Sequence, residues 1–100
     1  LLLGISLLFH EKYFVRSNRE SGNGRYDIAL EPKNIGRLPG IIIEVKSKND
    51  NAESLAALAK KALEQIDAKQ YDADMKSRGV QTVYKYGIAF YKKTVEIATN

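Results

Sequence analysis

A chain of 100 residues with 44% hydrophobic and 28% charged side chains can bury one small core and is too apolar for a disordered segment. It contains no cysteine, which excludes a disulfide scaffold and a thiolate-held metal and fits a reducing, cytoplasmic compartment. The net charge of +4 is scattered from Lys12 to Lys93, so it permits nucleic-acid binding without marking a basic patch.

The opening run LLLGISLLF (1–9) is apolar, yet it is shorter than the roughly 20 residues that span a bilayer. It lacks the basic flank and small-residue cleavage site of a secretory leader and reads as a buried helix. The chain starts with Leu1 rather than methionine, so a single domain over 1–100, cut from a longer protein, is expected. His10, the only histidine, has no ligand pattern around it and reads as a helix-end residue.

KYFVRS (12–17) is aromatic and β-branched, and predicts a strand. NRESGNGR (18–25) predicts a turn, because Gly22-Asn23-Gly24 tolerates positive φ. RYDIALEP (25–32) alternates, with Tyr26, Ile28 and Leu30 on one face and Arg25, Asp27, Ala29 and Glu31 on the other; Pro32 ends it. After the loop KNIGRLPG (33–40), the strand 41–47 holds Ile41, Ile42, Ile43 and Val45, apolar on both faces, and the three strands suit an antiparallel meander. A helix over 52–70 follows, with Asp50 and Glu53 as a capping pair and an apolar stripe of Leu55, Leu58, Ala59, Ala62, Leu63 and Ile66. The helical pattern fades after Tyr71, and Gly79 closes the region. VYKYGIAFYKK (83–93) and TVEIAT (94–99) predict a last strand pair turning at Lys92-Lys93. The order α-β-β-β-α-β-β predicts an α/β fold, a mixed β-sheet flanked by helices.

The chemistry lies in GIIIEVKSK (40–48), where Glu44 and Lys46 share one strand face while Ile43 and Val45 share the other. If strands 25–31 and 41–47 pair, Asp27 can face the same side as Glu44. Two carboxylates brought together repel, and a divalent cation relieves that repulsion. Hard oxygen ligands suit Mg²⁺, and a neighbouring lysine can orient a water or steady charge on a phosphate. On this reading the charges sit at the exposed end of the strand, in a cleft. The simpler alternative is a same-face ion pair on a solvated surface.

Asp27, followed seventeen residues later by Glu44-Val45-Lys46, resembles the bipartite signature of the PD-(D/E)XK nuclease superfamily. The blocks SNRESGNGRYDIALEP, GIIIEVKSK, ALEQIDAKQY and YGIAFYKK, in that order, resemble the bacterial nuclease-like domain that commonly follows an AAA-type ATPase-like domain. The resemblance implies a restriction-endonuclease-like core and a metal-dependent nuclease acting on DNA. It implies Asp27, Glu44 and the Val45 carbonyl as ligands of Mg²⁺ or Mn²⁺, Lys46 as the catalytic lysine and Gln65 as the helix glutamine of related nucleases. Gln65 lies at the edge of the apolar stripe, where it either reaches the cleft or is a boundary residue facing water. Some relatives carry a tyrosine four residues after this glutamine; here that position is Lys69, and Tyr71 lies two further on. Arg25 either holds a phosphate or pairs with a carboxylate, and Glu20 either assists through a water or is a turn-flanking acid. Many members carry a further acid on the first helix, and residues 1–9 contain none. No G-x-x-x-x-G-K-[ST] loop occurs, so any coupling to ATP lies outside these residues. Retention of the fold as a non-catalytic binding module for nucleic acid or protein is the alternative function.

Overall fold

The computed structural model describes residues 10–20, 25–34, 37–47 and 54–100, with the side chains of Arg19, Glu20, Arg25 and Tyr26 outside that description. Five strands form one sheet: β1 (Tyr13–Glu20), β2 (Arg25–Pro32), β3 (Gly40–Ser47), β4 (Val83–Tyr91) and β5 (Thr94–Thr99). Their order in space is their order in sequence, so β3 is central. The first three strands are an antiparallel meander, β3 and β4 are parallel, and β5 returns antiparallel to β4. The parallel pair requires a crossover. Helices α1 (Leu55–Lys69) and α2 (Tyr71–Ser77) supply it, completing the mixed-sheet α/β fold of a restriction-endonuclease-like core.

Helix α1 buries Ala59, Ala62 and Ile66 from the expected stripe, while Lys60, Lys61, Glu64 and Asp67 stay exposed. Gly87 lets it approach closely: a methyl group there would run into the Ala59 carbonyl oxygen and lie 2.5 Å from Leu63 N. Small residues on both elements therefore bring the helix backbone onto the centre of the sheet. Ala29, Ile42, Ile66, Met75, Val80 and Val83 are the buried core, with Leu63 and Tyr71 packed against it.

The boundaries correct several expectations. The first strand runs on through Asn18 to Glu20, which pairs with Arg25, so the turn is shorter than 18–25. Cross-strand hydrogen bonding carries these polar residues into the ladder despite their low strand propensity. Helix α1 starts later than expected, with Ser54 as its cap, its hydroxyl accepting from Ala57 N at 3.0 Å. Asp50 and Glu53 lie outside the described residues, as does the expected helix over 1–9; residues 10–12 are helical, and His10 is exposed. A second helix, α2, replaces the fading pattern after Tyr71. Its one buried residue, Met75, leaves too little periodicity to detect. Gln70, at φ 58°, breaks the two helices apart. Lys92, at φ 54°, makes the expected turn before β5. Among the described residues no helix is long and apolar enough to cross a membrane.

Candidate metal centre

Register builds the site. Asp27 on β2 stands directly opposite Glu44 on β3, and Gly87 stands beside Glu44 on β4. Directly opposed residues of an antiparallel pair share a face. Asp27 and Glu44 therefore project together on the face that α1 covers. Lys46 joins them two residues along the same strand. Val45 turns its buried side chain to the other face, so only its backbone is left to contribute here.

These charges are not at an exposed strand end, as the sequence suggested. Asp27 is 3% exposed, Glu44 1% and Lys46 7%. Burial of a carboxylate pair is tolerable only with compensating positive charge. Lys69, the last residue of α1, provides it. Its Nζ donates to Asp27 Oδ2 at 2.8 Å and to Glu44 Oε1 at 2.9 Å. The phenol of Tyr71, at the start of α2, donates to the second Asp27 oxygen, Oδ1, at 3.4 Å. Burial first, and then the Asp27 carboxylate, push this phenol above its ordinary pKa of 10.0, so it remains a donor at neutral pH.

The site thus gathers Asp27, Glu44 and Lys46 from the sheet and adds Lys69 and Tyr71 from the helices. Sequence reasoning gave roles to the first three; it noted Lys69 and Tyr71 by their spacing from Gln65 and gave neither a role. The available signal was spacing: Lys69 lies four residues after Gln65, so the two share a face of α1. Gln65 is half-buried on that helix. Tyr71 reaches the site because the left-handed Gln70 resets the chain between the helices. Arg25 sits opposite Lys46 in the β2–β3 register and opposite Glu20 in the β1–β2 register; both side chains lie outside the described residues.

A cleft of about 290 Å³ opens beside Asp27, with Arg16, Asn18, Tyr71 and Arg78 among its lining residues. Arg16 is exposed on β1 and faces Ala29 across the ladder. Arg78 is tied to Glu31 on the same lining, with Nε 2.8 Å from Glu31 Oε2 and Nη2 2.6 Å from Glu31 Oε1. The hydrogen bonds from Arg78 hold the Glu31 carboxyl below its ordinary pKa.

The donor set fits a divalent cation in one respect and is sparse in another. The two carboxylate oxygens converge on a single cationic nitrogen, so they already point at one seat. Both are hard donors, as Mg²⁺ prefers. Among the described residues no group of three or more acidic, histidine or cysteine side chains could hold a metal, so protein side chains would supply two ligands. That number is ordinary for Mg²⁺ where waters and substrate phosphates complete the shell.

A restriction-endonuclease-like sheet with two carboxylates and a lysine on its central strands defines the class of fold. A family profile of the PD-(D/E)XK nuclease superfamily matches residues 2–100, and the chain belongs to that superfamily. No curated protein and no solved structure matches it.

Proposed function

We propose that this chain is a metal-dependent nuclease that hydrolyses phosphodiester bonds in DNA. The observation that carries the reading is the convergence of Asp27 and Glu44 oxygens on one cation position, with Lys46 on the same sheet face. Asp27, Glu44 and the Val45 carbonyl would hold Mg²⁺ or Mn²⁺. A metal held there would lower the pKa of a bound water and polarise the phosphate.

The chain's own groups then have separable tasks. Lys46 orients the attacking water and neutralises negative charge that builds on the phosphoryl oxygens as the P–O ester bond breaks. Its fixed place on a central strand means that little reorganisation is needed during the reaction. Gln65, on the helix face shared with Lys69, is a positioning residue for the same water or phosphate. Arg25 is a phosphate-binding residue, drawing the backbone of the nucleic acid toward the carboxylates.

The test is cleavage of single- and double-stranded DNA with Mg²⁺, Mn²⁺ or EDTA by the wild-type chain, Glu44→Ala and Lys46→Ala. Both variants should lose cleavage. Glu44→Ala should also lose Mn²⁺ binding, while Lys46→Ala keeps it, because that lysine acts in the chemical step. DNA binding at moderate salt should survive both, since dispersed phosphate contacts provide most of it.

One observation favours a second reading, a non-catalytic nucleic-acid-binding module. Lys69 already donates to one oxygen of each carboxylate, so the pair holds a cation of its own without a metal. DNA binding with no cleavage under any metal condition would select that reading.

A further inference from the structure

Lys69 sits where a metal would have to sit. Its ammonium touches one oxygen of each carboxylate, at 2.8 and 2.9 Å, and so occupies the point on which the pair converges. A divalent cation and an ammonium cannot share that point. Their mutual repulsion, at contact distance and in a buried setting, exceeds what two carboxylates can offset once each must divide its oxygens between two cations.

We propose that Lys69 is a built-in counter-ion that keeps the site assembled without metal, and that a divalent cation enters only as the Lys69 ammonium leaves. The proposal rests on the reading of Asp27 and Glu44 as metal ligands. Three features of the chain make the exchange feasible. Lys69 is a quarter exposed, so its amine has a path to water, whereas the carboxylates are almost wholly enclosed. It is the last residue of α1, which ends at the left-handed Gln70, so no further turn of α1 itself hems in its four-carbon stem. Tyr71 keeps its own hydrogen bond to Asp27 Oδ1, so Asp27 does not depend on Lys69 alone for its orientation.

The exchange replaces one positive charge with two, so the enclosed carboxylates hold a cation in both states, and the competition between the two cations sets the cost of loading. Metal binding must release an ion pair before it forms its own contacts, so the wild-type chain takes metal weakly. Removing the amine removes that competitor and leaves the two buried carboxylates with one cation fewer.

The experiment titrates MnCl₂ calorimetrically into the wild-type chain, Lys69→Met, Lys69→Gln and, as a control for net charge, Lys60→Met on the exposed face of α1. Thermal melts of each in EDTA and in Mn²⁺ accompany it. Lys69→Met and Lys69→Gln should bind Mn²⁺ about tenfold more tightly than wild type, or better. Both should melt lower than wild type in EDTA and recover in Mn²⁺, and Lys60→Met should match wild type throughout. If Lys69→Met folds only in the presence of Mn²⁺, that also supports the exchange. An affinity within twofold of wild type overturns it, as does failure of both Lys69 variants to fold with or without Mn²⁺. Tighter Mn²⁺ binding with no cleavage by any form would remove the nuclease reading and leave the exchange standing. Wild-type cleavage with no gain in affinity would do the reverse.

Discussion

Among the described residues two lysines, Lys69 and Lys85, each bridge two carboxylates, and their surroundings are inverted. Lys69 is the accessible member of its cluster, and its partners Asp27 and Glu44 are buried. Lys85, on β4, is the enclosed member of the other. Its Nζ reaches Asp67 Oδ1 at 2.6 Å and Asp72 Oδ2 at 2.9 Å, yet Asp67 is 66% exposed. The chemical groups are the same; what differs is which charge water can reach. If Lys85 were lost, water would solvate Asp67, which is already largely exposed, and would reach Asp72 in part. If Lys69 were lost, two carboxylates would remain inside the protein with little access to solvent. The Lys85 cluster is therefore a staple that ties α1 and α2 to the sheet, and the Lys69 cluster is a seat that needs a cation. Burial of the anions, more than the presence of an ion pair, separates a structural contact from a candidate reactive site.

The widest separation between the clusters should come from removing each lysine. Lys69→Met should lose about 3 kcal/mol of stability in metal-free buffer, the usual scale for leaving buried charge without its partner. Adding Glu44→Gln to that variant should restore about 1–2 kcal/mol, because one of the two buried negative charges is gone. Urea denaturation of the single and double variants measures both; a double variant less stable than the single would break the comparison.

Gly87→Ala should cost about 2–3 kcal/mol, since the added methyl meets helix backbone that cannot step aside without moving α1. Helix α1 carries both Lys69 and Asp67, so this change should weaken both clusters together. Mn²⁺ affinity and the acid dependence of stability should both shift, and a change in one alone would show that the clusters do not share the helix's placement.

Lys85→Met should cost less, below about 1 kcal/mol, because its partners return to solvent. The smallest effect is a pH dependence. The hydrogen bond from Lys85 holds the Asp72 carboxyl below its ordinary pKa of 3.8. A depressed carboxyl contributes its stability above the unfolded value and loses it as the pH falls through the lower folded value. Hydrogen bonds to Asp67 and then Asp72 hold Lys85 above its ordinary 10.5, so its contribution is complete below that pH and fades as the pH climbs past it. The difference in urea midpoint between wild type and Lys85→Met should therefore be flat from pH 5 to 9 and shrink below about 3.8. A difference that grows on acidification would contradict this assignment.

The strands were legible from pattern. Alternation in 25–31 put Asp27 opposite in kind to Tyr26 and Ile28, and the run of isoleucines marked β3 as central. The apolar stripe of α1 was legible for the same reason, since one face must be buried. What escaped was everything set by the junction of the helices. Helix α2 has one buried residue and so no readable period. The bend at Gln70, a residue with no strong preference for left-handed backbone, could not be anticipated from its type.

The sequence by itself determined the membership of the site's floor: which strand faces carry Asp27, Glu44 and Lys46, because side-chain direction alternates with period two. The tertiary structure decided what stands above that floor. Lys69 reaches the carboxylates across 42 and 25 residues of chain because α1 is pressed onto Gly87 and then broken at Gln70. Periodicity fixes the face on which a side chain lies, but only packing fixes how far one element travels over another. Burial followed from the same packing. A strand bearing Glu44 reads equally well as solvated surface until a helix covers it, and that cover is what makes the pair of carboxylates depend on a cation.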